Sequence, residues 1–431
     1  MKKATSFPVN KFPDFRIQML NWANRFGIFC FLDNLQYDYS QPAFECLLGV
    51  GIENSLSAVA GSAFKSLKDL CSNENDEWLF GHFAFDLKNE TERLSSGNFD
   101  GIEFPDLFFF VPKVVIQLDD TSVTITLEGD ASEVLNSILS CPKYILASAE
   151  QQVEVQSRIP KNEYISTVEK LKQHILHGDC YEINFCQEFF AEDVVLDPLI
   201  IYDRLSKISP NPFSALYKLE DKYCCCASPE RYLKKTGNRI FSQPIKGTSK
   251  RDHEHRKADE ESREYLLHSK KEKSENVMVV DLVRNDLSRV CIPGSVRVDE
   301  LFGLYSFPQV HQMISTISGE LRTETDPVEV IRKTFPMGSM TGAPKLRVLE
   351  LIEQYEQTRR GLFSGAIGYF KPLGNGQTDF DFNVVIRSIM YNAGKKYLSF
   401  QTGSGITFYC DAEKEYEECL LKAAAIRAIL H

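Results

Sequence analysis

Short apolar runs alternate with segments of helical periodicity along the whole chain, and this alternation predicts an α+β fold. The first third is rich in predicted strands, because its apolar runs are continuous and polar turns separate them. These runs are Phe26 to Leu32, Trp78 to Leu87 and Leu107 to Leu118. Beyond them, a helix that ends at Gly178 is predicted, since apolar residues recur on one of its faces. They are Tyr164, Val168, Leu171 and Ile175.

A change of pattern at residues 147–160 marks a boundary between two regions. Glu150 to Gln156 carries no core pattern and is typical of a connector. We therefore divide the chain into a strand-rich segment, residues 1–150, and a second segment, residues 151–431, which carries the candidate chemistry.

Two glycine-rich stretches in the second segment are candidate anion-binding loops. Gly338 to Gly342 precedes Pro344, which suits the first turn of a helix, and a helix N-terminus offers free N–H groups to an anion. Thr402 to Gly405 follows a predicted strand. A plain turn is the alternative for each stretch. Together with Gly247-Thr248, they favour a ligand with more than one carboxylate.

A predicted strand covers Phe380 to Arg387, where the apolar residues alternate onto one face. Arg387 then lies on the opposite face with Asp381 and Asn383. An arginine in this position serves either as a structural ion pair or as a ligand for a carboxylate, and the residues alone leave both open.

The composition is that of a globular protein and argues against several functions. The chain has 431 residues, of which 43% are apolar and 25% charged, and its net charge of −11 offers no basic surface to nucleic acid or to a membrane. No apolar run is long enough to span a bilayer, and Met1-Lys2-Lys3 leads into no signal-peptide core, so we expect a cytoplasmic protein. The 12 cysteines include no C-x-x-C pair, which favours structural thiols over a zinc site.

Lys246 is the candidate nucleophile, and it stands in the sequence Pro244-Ile245-Lys246-Gly247-Thr248. Pro244 stiffens the entry to a turn, and Gly247 tolerates positive φ, so that the backbone can approach a ligand closely. A lysine taken at random is a solvated surface group. The motifs around it favour a functional role instead.

Two pairs of glutamates have the i, i+3 spacing that places both side chains on one face of a helix. They are Glu272 with Glu275, and Glu415 with Glu418. A single acidic pair on a helix is usually solvated, so neither pair alone indicates a site.

The second segment resembles the chorismate-utilising enzymes from about Lys161 to the C-terminus, because five motifs recur in the family's order. They are Ser228-Pro229-Glu230, Pro244 to Thr248, Glu272 to Leu287, Gly338 to Lys345 and Thr402 to Ile406. The resemblance implies the two-sheet α/β sandwich of anthranilate synthase component I, with flanking helices and a central cleft. The first segment would contribute strands to the same two sheets.

Lysine in the Pro-Ile-x-Gly-Thr motif is similar to the aminodeoxychorismate synthase branch of this family, whereas anthranilate synthases usually carry alanine there. The resemblance implies that ammonia aminates chorismate to 4-amino-4-deoxychorismate, on the way to p-aminobenzoate and folate. Lys246 would form a covalent adduct with the ring, and Glu230 would act as general acid and base. Attack requires a neutral amine, so we expect the site to depress the lysine pKa.

The resemblance also implies the ligands of the substrate and of one metal ion. The substrate residues are Gly247, Thr248, Ser339, Arg387, Gly403, Ser404 and Gly405. Magnesium would bind Glu275 and Glu418, with Glu272 and Glu415 in support. A separate glutamine amidotransferase subunit would supply ammonia, since the chain has no Gly-x-Cys-x-Gly elbow, and a separate lyase would act downstream.

Two departures from the family pattern keep other functions open. Glu182 replaces a usual glutamine, and Gln312 stands where a cleft histidine is usual, while His311 would face the other way. A catalytically silent chorismate-binding regulatory subunit is therefore one alternative, and anthranilate synthase component I is another. Phe31 to Asn34 is weakly similar to a feedback-pocket motif, which leaves a tryptophan-like ligand of the first segment open.

Overall fold

The structure is a computed structural model that describes most of the chain. The described residues are 2–9, 12–37, 44–74, 76–145, 153–252, 254–307, 310–323, 325–374 and 376–430. In chain order, the strands that they form are β1 (Lys3–Pro8), β2 (Ile28–Asp33), β3 (Cys46–Val50), β4 (Asn54–Ala58), β5 (Leu79–Phe83), β6 (Leu107–Val111), β7 (Val114–Leu118), β8 (Ser122–Leu127), β9 (Gln156–Ser157), β10 (Glu182–Ala191), β11 (Phe213–Leu219), β12 (Lys222–Ser228), β13 (Arg231–Thr236), β14 (Arg239–Gln243), β15 (Ile245–Lys250), β16 (Arg297–Ser306), β17 (Val310–Glu320), β18 (Gly342–Ala343), β19 (Ala366–Gly374), β20 (Gln377–Asn383), β21 (Ser388–Asn392) and β22 (Tyr397–Ile406).

The helices flank these strands, and two short 3-10 turns lie at Phe85–Leu87 and Gly338–Met340. The α-helices are α1 (Phe12–Ala23), α2 (Ala63–Asn73), α3 (Lys88–Thr91), α4 (Ala131–Leu139), α5 (Lys161–Leu176), α6 (Pro198–Ile208), α7 (Arg256–His268), α8 (Lys270–Ser288), α9 (Pro327–Thr334), α10 (Lys345–Tyr355) and α11 (Ala412–Leu430). Within the described ranges, no helix combines the length and the apolar character needed to cross a membrane.

Two antiparallel sheets form the body of the protein, which confirms the predicted two-sheet α+β architecture. The first sheet runs β1-β8-β7-β3-β2-β11-β12-β21-β22-β10-β18, with β9 added to β10, and the second runs β15-β17-β14-β13-β20-β19-β5-β6-β4, with β16 added to β17. Both sheets take strands from either side of residue 150. The strands β10 and β22 of the first sheet and β15 of the second carry the candidate chemistry.

Leu107 to Leu118 forms two strands instead of the single strand that its apolar run predicts. β6 pairs with β5 in the second sheet, whereas β7 pairs with β3 in the first. Pro112 stands between them, and proline cannot donate to a strand ladder, so the chain crosses here from one sheet to the other. Trp78 to Leu87 is likewise shorter as a strand, because a 3-10 turn begins at Phe85.

The main core contains residues of both sheets and of helices α2, α8 and α9, and it is dominated by aromatic side chains such as Phe80, Phe109 and Phe382. A second core lies between the first sheet and helices that include α1, α6 and α11. The three consecutive cysteines of β12 show the alternation, since Cys224 and Cys226 enter the main core and Cys225 enters the other. All 12 cysteines are free thiols and all but one are buried, as expected for small apolar residues.

The predicted connector begins outside the described residues, at 147–152. Its remainder is attached to the first sheet through the pairing of β9 with β10, and to α11 through the Val153 amide, which donates to the Leu430 carbonyl over 3.4 Å. The helix predicted to end at Gly178 is confirmed as α5, which buries Tyr164, Val168 and Leu171.

Candidate active site

Lys246 lies in a bulged strand instead of the predicted turn. The pairing of β15 with β17 shifts register between Ile245 and Thr248. Gly247 at the bulge has φ of +95°, which a residue with a side chain rarely adopts. A Cβ there would lie 3.2 Å from a carboxylate oxygen of Glu272 in α8. At the bulge, the backbone of Gly247, which follows Lys246, therefore lies against Glu272, one of the four predicted metal ligands.

The amine of Lys246 pairs with Glu182, the residue that replaces the family's glutamine. Lys246 Nζ donates to Glu182 Oε1 over 2.9 Å, and the two side chains are only 12% and 3% exposed. Gly405 of β22 leaves the space that both groups occupy, since its Cβ would lie 2.9 Å from Glu182 Oε1 and 3.3 Å from Lys246 Nζ. Lys246 of β15, Glu182 of β10 and Gly405 of β22 thus form one close cluster that joins the two sheets.

The expected depression of the Lys246 pKa is wrong for the protein without ligands. Burial lowers this pKa, but the charges of Glu182 and Glu275, together with the Glu182 hydrogen bond, outweigh burial and raise the pKa above its usual value. The amine is therefore an ammonium ion at neutral pH, and it must lose a proton before it can attack a carbon atom. The nearest base is its own partner, Glu182.

Glu230 is a buried acid of the same cleft and not a surface carboxylate. It is 4% exposed and follows β12, where its amide N–H donates to Ser228 Oγ. Burial raises its pKa to about 7, although the Ser339 hydrogen bond and the charges of Lys246 and Arg387 oppose this. A carboxyl group with this pKa can both give and take a proton near neutral pH.

Ser339 lies in the 3-10 turn Gly338–Met340, and its hydroxyl donates to Glu230 Oε1 over 2.5 Å. The predicted anion-binding loop therefore holds the acid in position. Pro344 directly precedes α10, so the predicted helix start is confirmed.

Arg387 reaches the cleft through a kink and not through strand alternation. β20 ends at Asn383, and Arg387 has φ of +50°, in the left-handed region. The prediction that one strand continues from Phe380 to Arg387 is wrong, although Phe380 and Phe382 do share a buried face. Burial lowers the pKa of Arg387 to about 10, and the charge of Glu230 partly offsets this, so the guanidinium stays positive at neutral pH.

Thr402 to Gly405 belongs to β22 and is not a loop, which corrects the prediction. Gly403 pairs with Cys186 and Gly405 with Asn184 of β10. A Cβ on Gly403 would lie 2.4 Å from Sγ of Cys186, its partner on the neighbouring strand, so glycine is required by packing within the first sheet. Ser404 points to the other face of β22, where its hydroxyl meets Tyr164 of α5 over 3.2 Å.

The four predicted metal ligands extend from two helices toward one lysine. Glu272 and Glu275 lie in α8, and Glu415 and Glu418 lie in α11. Lys271 Nζ lies 3.5 Å from Glu415 and 3.8 Å from Glu275, and all four glutamate charges raise its pKa although burial lowers it.

The four carboxyl groups differ in how readily they ionise. Burial raises the pKa of Glu275 to about 7, and burial also raises the pKa values of Glu272 and Glu415. Burial acts in the same direction on Glu418, but Lys422 lowers the pKa of that carboxyl below its usual value. Lys422 bonds to Glu418 and to the Gly403 carbonyl, both over 2.7 Å.

This cluster has the right atoms for magnesium but holds a lysine among them. Glu275 Oε1 is buried without a hydrogen-bond partner, and hard carboxylate oxygens are the ligands that magnesium prefers. In the described part of the chain, no three His, Cys, Asp or Glu side chains converge closely enough to hold a metal ion. The half-exposed Lys271 would have to withdraw to let the carboxylates converge.

The charge of the cleft also fits a divalent cation. The side chains described above include more carboxyl groups than cations, so an anionic ligand would be repelled when all are ionised. The carboxyl groups are those of Glu182, Glu230, Glu272, Glu275, Glu415 and Glu418, and the cations are Lys246, Lys271, Lys422 and Arg387.

Gln312 and His311 lie on opposite faces of β17, as alternation predicts. His311 is buried, and its Nε2 lies 3.0 Å from Asp259 of α7. Gln312 is 2% exposed, pairs with the exposed Thr248, and its Oε1 has no partner among the described residues. Gln312, which stands where the family usually has a histidine, thus carries a hydrogen-bond acceptor without a partner among the described residues.

Two lysines of the site were not predicted from the sequence. Lys271 stands four residues before Glu275, and Lys422 stands four residues after Glu418. This is the helical spacing that pairs opposite charges. That spacing was the available signal. It was weak, because most i, i+4 pairs are ordinary surface contacts.

A family model described as "chorismate binding enzyme" matches residues 34–428. The chain is 33% identical over 403 residues to a probable chloroplastic aminodeoxychorismate synthase of Oryza sativa subsp. japonica, covering 91% of this chain and 44% of that protein. It is 32% identical over 387 residues to aminodeoxychorismate synthase component 1 of Bacillus subtilis, covering 86% of this chain and 81% of that protein. The chain thus spans less than half of the first relative and most of the second.

Solved structures agree on the fold. Anthranilate synthase component I from Streptococcus pneumoniae superposes with a TM-score of 0.78 at 23% identity, over 91% of this chain and 94% of that one. The menaquinone-specific isochorismate synthase from Escherichia coli gives a TM-score of 0.76 at 15% identity, over 100% of this chain and 95% of that one. At these identities the likeness shows the architecture alone, and it confirms the fold predicted from the five motifs.

Proposed function

Because the chain belongs to the family of chorismate-binding enzymes, we propose that it catalyses the amination of chorismate to 4-amino-4-deoxychorismate. One observation carries the proposal: a buried lysine and a buried acid with a pKa of about 7 share one cleft. Relatives named aminodeoxychorismate synthase support the same reaction.

The first step is the generation of a neutral amine at Lys246. Its proton passes to Glu182 over the 2.9 Å hydrogen bond, and the free electron pair of Nζ then attacks the substrate ring. Glu230 in its protonated form donates to the departing ring hydroxyl, which leaves as water. Ammonia later bonds to the carbon that lost the hydroxyl, and Glu230, now ionised, takes the proton that the new nitrogen must lose. The electron pair of the bond to Nζ returns to the amine as the ring double bonds shift.

The substrate is a dianion, so its binding depends on positive charge. Arg387 is the guanidinium of the cleft that is suited to a substrate carboxylate. Glu275 and Glu418 would hold magnesium, with Glu272 and Glu415 in support. When bound, magnesium supplies a hard positive charge to a carboxylate of the substrate. The other proposed substrate residues are Gly247, Thr248, Ser339, Gly403, Ser404 and Gly405. In the free protein the Ser339 hydroxyl bonds to Glu230, and the Ser404 hydroxyl bonds to Tyr164.

A separate glutaminase subunit is proposed as the source of ammonia, and the name "component 1" of the Bacillus subtilis relative supports a partner. A separate lyase would release p-aminobenzoate from the product. We propose a cytoplasmic location for these steps.

The test is product identification with the purified chain, chorismate, magnesium and ammonium chloride. We expect a product with the mass of 4-amino-4-deoxychorismate and no pyruvate. Release of pyruvate with anthranilate would instead identify an anthranilate synthase, and chorismate binding without any product would identify a silent subunit. Glutamine in place of ammonium should give no product, and amination with glutamine alone would contradict the need for a glutaminase partner.

A further inference from the structure

Glu182 carries a buried carboxylate oxygen that the ion pair with Lys246 does not use. Glu182 is 2% exposed, and its Oε1 accepts the hydrogen bond from Lys246. Its Oε2 is buried and has no hydrogen-bond partner in the described residues. An ionised carboxylate accepts hydrogen bonds at both oxygens, and a buried acceptor without a donor is unfavourable. The second oxygen therefore indicates a missing donor.

The surroundings of this oxygen restrict what the donor can be. Gly405 lies against the carboxylate, since a Cβ there would come within 2.9 Å of Glu182 Oε1 and 3.4 Å of the carboxyl carbon, and Oε2 itself is buried, which favours a small donor. The charged groups that act on Lys246 at this point are Glu182 itself, Glu275 of α8 and Glu230 after β12. This carboxylate-rich surface repels an anion and attracts a small cation with N–H groups.

We propose that Glu182 Oε2 binds the nitrogen of the second substrate, as ammonium or ammonia, directly beside the amine of Lys246. The inference rests on the proposed amination. One carboxylate would then hold two nitrogen atoms next to each other, Nζ on Oε1 and the incoming nitrogen on Oε2. Both nitrogens must reach the same substrate ring, so a shared carboxylate brings the second nucleophile to the ring that the first has attacked.

Steady-state kinetics of Glu182→Gln provide the first test. A neutral amide binds a cation less well and presents its own N–H groups to the incoming nitrogen, so the KM for ammonium should rise about tenfold or more. The KM for chorismate should change less than about twofold, whereas kcat should fall, because Glu182 is also the proposed acceptor of the Lys246 proton. Glu188→Gln is the matched control, because Glu188 is a buried carboxyl of the same strand whose oxygens bond to Arg158, Tyr397 and Ser399. An unchanged ammonium KM in Glu182→Gln overturns the proposal.

A second test needs no turnover and separates this inference from the proposed reaction. Crystals of Lys246→Met protein, in which the competing amine is absent, are soaked with thallium(I), a cation of similar size and charge to ammonium. Anomalous density in contact with Glu182 is expected, and it should be absent from the Lys246→Met, Glu182→Gln double variant. Lack of density beside Glu182 in the single variant overturns the cation site. If the site binds thallium while the wild-type protein forms no aminated product, the amination proposal fails and the cation site stands.

Discussion

The hydroxyl of Ser339 donates a 2.5 Å hydrogen bond to Glu230, and it thereby connects the turn before α10 with the acid of the cleft. This bond favours the ionised form of Glu230 and opposes the effect of burial on its pKa. Burial dominates the Glu230 pKa, and a contact between segments that are 109 residues apart opposes it.

Replacing Ser339 by alanine should raise the pKa of Glu230 further above about 7. Expulsion of the ring hydroxyl needs the protonated acid, so the high-pH limb of the kcat/KM profile should move to higher pH. The profile of Ser274→Ala, an exposed serine of α8, should match the wild type. A Ser339→Ala profile identical to that of the wild type would show that this bond does not control Glu230.

Glu230→Gln should change the pH dependence of the free energy of unfolding. The Glu230 pKa is raised from 4.5 to about 7 in the folded protein, so the carboxyl contributes stability that is complete below pH 4.5 and is lost as pH rises toward 7. Glutamine does not titrate, so the free energy of unfolding of the variant, relative to that of the wild type, should increase by roughly 3 kcal/mol from pH 4.5 to pH 7.5. Urea unfolding at these two pH values checks it, and a constant difference between the proteins would contradict a raised pKa.

Lys246 should gain the mass of a chorismate-derived adduct when magnesium is present and ammonium is withheld, because the second nucleophile is then missing. Peptide mapping by mass spectrometry measures this directly. Lys246→Ala should remove the adduct and lower amination by about 10³-fold or more. Alternatively, it should redirect ammonia to another ring carbon with release of pyruvate. Lys250→Ala, which alters an exposed residue of the same strand, should behave as the wild type. Full activity of Lys246→Ala without an adduct would rule out the nucleophile.

Lys271→Met should bind magnesium about tenfold more tightly than the wild type, because Lys271 neutralises the glutamates that would hold the metal. Manganese(II) titration followed by electron paramagnetic resonance reports the affinity without turnover. Lys273→Met is the control, because this substitution removes the same charge from the same helix. The Lys273 amine lies over the ring of Phe302 in β16. Equal affinities in the two variants would contradict a direct role of Lys271.

Charge reversal tests the magnesium ligands themselves. Glu275→Lys and Glu418→Lys should each abolish the magnesium dependence and lower turnover by about 10²-fold or more, since the proposed ligand becomes a cation. Unchanged turnover and unchanged magnesium dependence in either variant would show that the assignment is wrong.

Local patterns determined the features of this protein that depend on neighbouring residues. Apolar residues at helical spacing predicted α5, and i, i+3 glutamates predicted helical faces that α8 and α11 do present. The five motifs identified the family, and their order fixed the expected two-sheet architecture.

Only the tertiary structure decided features that depend on distant partners. Thr402 to Gly405 is strand because β10 pairs with it, and Leu107 to Leu118 divides because its halves find partners in different sheets. The Lys246 pKa rises because Glu182, 64 residues away, lies within a hydrogen bond of it. Strand pairing and electrostatic interaction act through space, so the sequence around each residue contains the residue type but not its partner.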